Sequence, residues 1–317
     1  MAFCFTPLGI SAAVPFDNRH LAAHVLQIQN ELFLIDCGEG TIFQLQKFKI
    51  KYNSINHVFI SHLHGDHFFG LFGFLTTLAM NGRKESLHIY SPLGLEEIIH
   101  TVFKFSNYRS PYPIIFFAVE SEHSISLIEN NIFSVCSFPL YHRIPTIGFY
   151  FEEKPLPLNL RSEVIKKFAI PFNQLKNIKN GACYLEESTN TLIPNSELTL
   201  PPYKPRSFAY CSDTRYEPSL IKYFKNVDLL YHESTFLNDM AEHAFKVGHT
   251  TALQAAQIAV LANAQKLIIG HFSARYTELK ILEDEARTIF ENTELSEEGK
   301  VFLVELKREK ERFFKEK

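Results

Sequence analysis

Directly behind the apolar run His57-Val-Phe-Ile-Ser61 the chain reads His62-Leu-His-Gly-Asp-His67, three imidazoles and one carboxylate within six residues. The apolar run has the signature of a buried strand, and the glycine marks a tight bend into the next element. A loop of this kind belongs at a strand end of a layered α/β structure, where functional loops collect. His62 and His64 leave the strand end on one side, whereas Asp66 and His67 open the next element and point elsewhere, so two metals are easier to serve than one. Mixed imidazole and carboxylate is the ligand set of a borderline-soft divalent ion, zinc first. A solvated polar turn is the better reading of a lone His-x-His; the appended Asp-His pair tips the balance to a metal site.

The chain has 317 residues, 46% of them hydrophobic and 14% aromatic, enough to fill one large α/β core or two smaller ones. No N-terminal segment combines a basic start, an apolar stretch and a small-residue cleavage site, and no apolar run approaches the ~20 residues that span a bilayer. The expectation is a cytoplasmic protein without membrane contact. Five cysteines (Cys4, Cys37, Cys136, Cys183, Cys211) show no Cys-x-x-Cys spacing, and their odd number argues against a disulfide framework. They read as small buried hydrophobes. A formal net charge of -3 leaves no global footprint for nucleic acid, so a polyanionic partner requires a local basic patch.

Apolar patterning predicts strands at 22–28 and 31–36 joined at Gln29-Asn30, a helix from Ile42 to Phe48, and a uniformly buried helix over Phe68–Met80. Further strands are predicted at Leu87–Tyr90, Ile114–Val119, Asn131–Leu140, Ser207–Cys211, Val227–Tyr231 and Lys266–Gly270. Helices are expected over Phe236–Ala244 and Thr251–Ala262 and near Glu278–Glu291. The stretch 152–181 differs. It sets Lys154, Arg161, Lys166, Lys167, Lys176 and Lys179 against Glu152, Glu153 and Glu163, and reads as a protruding insertion with a local excess of about +3. An ordinary solvated helix is the competing reading. Three chemistry-bearing residues follow predicted strands: His142, Asp213 and His271. Each alone is an ordinary polar group at a strand end, but together with the 62–67 loop they complete two metal sites.

Taken in order, Asp36-Cys-Gly-Glu-Gly-Thr41, Ser61-His-Leu-His-Gly-Asp-His-Phe-Phe-Gly-Leu71, Tyr210-Cys-Ser-Asp-Thr-Arg215, His232-Glu-Ser-Thr-Phe236, Gly248-His-Thr-Thr251 and Gly270-His-Phe-Ser-Ala-Arg-Tyr276 resemble the metallo-β-lactamase-fold superfamily. The His-Glu-Ser-Thr and His-Phe-Ser-Ala-Arg-Tyr segments narrow the likeness to the ribonuclease Z family of transfer-RNA 3′-processing endoribonucleases. The resemblance implies one αββα sandwich over 1–317 with a flexible exosite arm at 152–181. It assigns His62, His64 and His142 to a first zinc, Asp66, His67 and His271 to a second, and Asp213 to a bridge between them. Manganese or another divalent ion suits the same ligands. Asp66 would also accept a proton, and His249 with Glu233 would serve the leaving ribose oxygen. A helix-capping Thr250 beside an incidental histidine is the alternative at that place.

The implied reaction removes the 3′ trailer from precursor transfer RNA, leaving a 3′-hydroxyl on the transfer RNA and a 5′-phosphate on the trailer. The implied assembly is a homodimer in which one subunit's arm serves the other's site. Two features depart from the family pattern. No glycine-proline element stands in Ile170-Pro-Phe-Asn-Gln-Leu-Lys-Asn-Ile-Lys179, and in Pro15-Phe-Asp-Asn-Arg-His20 an Asp17 stands where a lysine is expected in a loop that discriminates mature CCA ends. The competing readings are a zinc phosphodiesterase for small molecules whose arm serves only dimerisation, and a catalytically silent RNA-binding or scaffold protein.

Overall fold

A computed structural model describes residues 2–186 and 188–308. Contacts divide the chain into two units, Met1–Glu152 with Ser207–Val304, and Glu153–Arg206 with the described residues from Glu305.

The first unit contains two seven-stranded sheets. One is built from β1 (Phe3–Gly9), β2 (Ala23–Ile28), β3 (Glu31–Cys37), β4 (Ile55–Phe59), β5 (Leu87–Ser91) and β6 (Ile114–Ala118), with Phe302–Leu303 pairing antiparallel to β1. The other runs from β7 (Ile125–Glu129) through β8 (Phe133–Leu140) and β9 (Thr146–Glu153) to Ser207–Cys211, Leu229–Glu233, Leu267–Gly270 and Thr293–Leu295.

Strand alternation explains the layers. Phe33 and Ile35 point into an inter-sheet core with Phe59, Phe149, Phe151, Phe208 and Tyr231, while Leu34 faces outward and joins Val58, Ile60 and Ile89 under Leu71, Phe74, Leu75 and Leu78. On the second sheet Ala209, Leu230 and Ile269 face the helices Ala252–Leu261 and Lys280–Arg287. Both faces of both sheets are therefore covered, which is why the strands read as continuous apolar runs. This is the αββα sandwich expected from the sequence.

Several local expectations need correction. The run 68–80 is two helices, Gly65–Phe68 and Leu71–Met80, because the Gly70 amide donates to the Cys37 carbonyl at 2.9 Å. Its burial is one-sided: Phe69 and Met80 are exposed. Strands β1, β7 and β9 were not anticipated. Cys4, Cys37 and Cys211 are buried, but Cys136 is only half-buried and Cys183 is exposed.

The second unit carries its own small core of Ile170, Ile178, Ile193 and Leu198 under the helices Ser162–Lys167 and Phe172–Lys179. Two two-stranded sheets complete it: Asn159–Leu160 with Thr199–Leu200, and Tyr184–Glu186 with Thr191–Ile193. At its two chain ends the buried Glu153 and Arg206 pair through two 2.8 Å bonds. The compact unit thus continues to Arg206, past the 181 expected from composition.

Phe149 is fully buried and meets Phe59 of the facing sheet edge-on at 5.1 Å. Phe149→Ala is expected to cost about 3–5 kcal/mol in urea unfolding, since neither sheet can collapse into the space.

Candidate metal and catalytic centre

The sequence-predicted site residues gather in the first unit, all but His249 on segments at the carboxyl ends of strands; His249 lies in the turn between the helices Ala241–Val247 and Ala252–Leu261. The loop after β4 supplies His62 and His64, and the short helix Gly65–Phe68 supplies Asp66 and His67. His142 follows β8, Asp213 follows Ser207–Cys211, Glu233 closes Leu229–Glu233, and His271 follows Leu267–Gly270.

Two clusters result. His62, His64, His142 and Asp213 offer donor atoms within 4.8 Å of one another, and so do Asp66, His67 and His271; Asp213 also groups with His271 and His249. Asp213 stands between the clusters, with Oδ2 3.6 Å from His62 Nε2 and Oδ1 3.4 and 3.3 Å from His67 and His271 Nε2.

The hydrogen-bond network fixes which ring nitrogen faces inward. His67 Nδ1 lies 2.8 Å from Asp36 Oδ2, an acceptor only, so it carries the proton and leaves Nε2 free. His142 Nδ1 donates to the Gly248 carbonyl at 2.7 Å. His62 Nδ1 meets the Ser61 hydroxyl at 3.0 Å, and that hydroxyl lies 2.9 Å from Asp36 Oδ2. The consequence is that imidazole nitrogens from separate elements crowd together. His62 and His142 Nε2 both converge on His64 Nδ1, at 3.0 and 3.2 Å, and His67 and His271 Nε2 stand 3.3 Å apart. Asp213 Oδ1 is buried without a hydrogen-bond partner. Imidazole nitrogens converging around a buried carboxylate oxygen that no hydrogen bond reaches form a donor set that fits divalent metal.

Electrostatics agree with this. Burial pushes the His62, His64 and His142 imidazoles toward the neutral form that binds metal. Burial would also lower His67, but Asp213, Asp66 and Asp36 outweigh it and hold it up at about 10, so a metal taken there would displace a proton. Burial would raise the Asp213 carboxyl, yet His271, His67 and His62 keep it well below the ordinary carboxylate range.

Beside the clusters, His249 Nδ1 lies 3.0 Å from Glu233 Oε1. Burial would lower this imidazole, and Glu233 and Asp213 instead raise it to about 9. The nearby helix is capped by Thr251, whose hydroxyl accepts from the Gln254 amide in a capping box. Thr250 is not the cap; its amide donates to Glu233 Oε1 at 2.8 Å. A cleft of about 580 Å³ opens over the site, where Asp66, His249, Arg143, Phe236, His243 and Arg275 are among its walls.

Residues that sequence reasoning left without a role carry much of this geometry. Asp36 accepts from the Ser61 amide and hydroxyl, His67 and Tyr210. Thr235 touches Glu233, His271 and His249. Both sit in segments singled out as motifs, but a residue that acts through another's hydrogen bond has no spacing of its own to read. Arg19 is turned inward, with Nη2 donating to the Tyr276 carbonyl at 2.8 Å and Nε to Phe16, so it braces its loop from within.

Two glycines are required by close approach. A Cβ on Gly38 would fall 2.4 Å from the Asp66 carbonyl oxygen, and one on Gly248, at φ +80°, would fall 2.7 Å from His142 Nδ1. Gly248→Ala is expected to lower stability by about 1–3 kcal/mol in urea unfolding. An unchanged midpoint would show that His142 can move aside at no cost.

Comparison with known proteins matches this geometry. A family model described as anti-Pycsar protein Apyc1 matches residues 3–107. A ribonuclease Z of Bacteroides fragilis is 42% identical over 292 residues, 92% of this chain and 96% of the relative. One of Cytophaga hutchinsonii is 43% identical over 94% of this chain and 95% of its own length. Among solved structures, the short form of human tRNase Z aligns with a TM-score of 0.69 and 27% identity over 95% of this chain and 99% of that one. The metallo-β-lactamase fold protein YhfI of Bacillus subtilis shares the fold, with a TM-score of 0.66 and 19% identity over 96% of this chain and 100% of its own.

Proposed function

Because this chain belongs to the ribonuclease Z family, we propose that it is a divalent-metal endoribonuclease that removes the 3′ trailer from precursor transfer RNA, leaving a 3′-hydroxyl on the transfer RNA and a 5′-phosphate on the trailer. The observation that carries the reading is the pair of inward-facing donor clusters bridged by Asp213, with the His249–Glu233 pair beside them in one cleft. His62, His64 and His142 would hold one ion, Asp66, His67 and His271 a second, and Asp213 both. Two zinc ions per chain suit this set, with manganese an alternative. When bound, such a pair supplies Lewis-acid charge stabilisation and lowers the pKa of water from 15.7 toward about 7.

The chain's own groups do the rest. Asp66 is held by the Ala13 amide at 2.9 Å, which orients its carboxylate toward the cleft as ligand and proton acceptor. His249, kept cationic by Glu233, has Nε2 available to give a proton to the departing ribose 3′ oxygen, a poor leaving group without one. Arg143 and Arg275 in the cleft wall suit phosphate oxygens, and the Arg275 guanidinium is steadied 5.5 Å over the buried Phe236 ring.

The second unit would supply the exosite, and pairing of two chains would bring it to the partner's cleft. Support comes from its surface: Phe172 is 89% exposed at the start of a helix whose Lys176 and Lys179 follow at positions i+4 and i+7. An aromatic beside a basic stripe fits a splayed base and its phosphates. Among the described residues no helix is long and apolar enough to cross a membrane, in keeping with a cytoplasmic site of action.

The decisive experiment is a single-turnover assay on 3′-extended precursor transfer RNA with product ends mapped, wild type beside Asp66→Ala. One cut near the discriminator base, absent in the variant, is expected. Wild type with two bound metals and no cleavage would favour a small-molecule phosphodiesterase, and no metal at all a silent binding protein. His249→Ala should keep its metal and lose about 10²–10⁴ in rate; full activity would remove His249 from the chemistry. Replacing Lys166, Lys167, Lys176 and Lys179 with Glu should raise KM for precursor RNA about tenfold or more and flatten its salt dependence, with hydrolysis of a small phosphodiester unchanged.

A further inference from the structure

We propose that Thr235 is a positioning residue that ties the second metal cluster to the proton-donating pair: its hydroxyl orients the His271 imidazole and anchors the Glu233 carboxylate that carries His249. The inference rests on the reading above and deepens it.

Thr235 is buried two residues beyond the strand Leu229–Glu233. Its hydroxyl has one proton to give, and Glu233 Oε2, an acceptor only, lies 2.7 Å away. The proton therefore points to Glu233, and the oxygen's lone pairs are left to accept. His271 Nδ1, at 3.0 Å, must then be the donor, which leaves Nε2 bare toward His67 and Asp213. The same oxygen stands 3.3 Å from His249 Nδ1. One hydroxyl thus meets a ligand of the second cluster and both members of the acid pair.

The bond matters more to His271 than a surface hydrogen bond would. His271 sits at φ +59°, a left-handed conformation off the end of its strand, so its ring direction depends on what holds the ring. Among the described residues the Nδ1 contact recorded for it is Thr235. The other cluster member, His67, has a carboxylate in the corresponding place. The two sides are therefore anchored unequally, one through the charged Asp36 and one through a neutral hydroxyl that also serves the acid. Glu233 keeps its other oxygen occupied by the Thr250 amide at 2.8 Å and the Thr214 amide at 3.3 Å. Loss of the hydroxyl would leave Oε2 with the Thr235 amide alone, at 2.9 Å, and would remove the one side-chain donor that meets both Glu233 and, at 3.3 Å, His249 Nδ1.

Thr235→Val keeps the shape and removes the hydroxyl, whereas Thr235→Ser keeps the hydroxyl. Zinc affinity would be read by competition with a chromophoric chelator, and single-turnover rates at saturating zinc on precursor transfer RNA and on bis(p-nitrophenyl) phosphate, whose aryl oxide leaves without protonation. In the Val variant the weaker of two zinc equivalents is expected to bind about 10–100-fold less tightly. With zinc restored by excess, RNA cleavage should remain down by about 10²-fold, while the aryl ester recovers to near the wild-type rate. The Ser variant should restore affinity and both rates. Unchanged zinc affinity in Thr235→Val would overturn the role at His271, and full recovery of RNA cleavage by excess zinc would overturn the link to His249. Equal loss on both substrates would also overturn that link. A wild type that cleaves no precursor RNA would instead defeat the endoribonuclease reading, and the zinc competition would still decide the His271 half.

Discussion

The buried carboxylate of Asp36 is the contact on which the rest of the site depends. It is the last residue but one of β3, in a left-handed conformation, and accepts from the Ser61 amide and hydroxyl just past β4, from His67 in the short helix Gly65–Phe68, and from Tyr210 on the facing sheet. A fully buried anion is tolerable only with that many donors. It therefore ties the two sheets together at the edge where the donor clusters gather, and it turns His67 so that Nε2 faces the second cluster. The glycine two residues on lets the Asp66 backbone close against the same corner.

Glu233 plays the matching part on the second sheet. Its two oxygens gather the Thr214, Thr235 and Thr250 amides, the Thr235 hydroxyl and His249. Asp213 lies between these two buried acids, with one oxygen that no hydrogen bond reaches. Three carboxylates in one corner serve three purposes because their surroundings differ: one is saturated by donors and structural, one holds an imidazolium, and one is left for a cation. The donors around each group assign its work.

Much of this was legible in the sequence, for identifiable reasons. The 62–67 loop announces itself because its ligands are contiguous, and His142, Asp213 and His271 follow apolar strands that both layers keep buried. The alternation of Phe33 and Ile35 with Leu34 reports sheets covered on both faces. What escaped detection acts across space. Asp36 and Thr235 work through other residues' hydrogen bonds. The break at Gly70 comes from a bond to Cys37, thirty-odd positions away, which no helical period records. The cap is Thr251 and not Thr250 because the Thr250 hydroxyl donates to the Thr214 carbonyl, while the Thr251 hydroxyl accepts from Gln254. The second unit outran its charged segment because its core needs Ile193 and Leu198 as well as Ile170 and Ile178.

The order in which the ligands appear along the chain has a consequence for biosynthesis. The first cluster begins at His62, but its bridging group arrives with Asp213 and the second cluster closes only with His271. The strand that pairs with the other edge of β1 is Phe302–Leu303, near the end of the described chain. Long-range pairing of this kind forms late. A nascent chain on the ribosome therefore carries the histidine loop long before Asp213 and His271 are made, and neither donor cluster is complete until they are. A product ending before residue 271 lacks the imidazole that closes the second donor cluster.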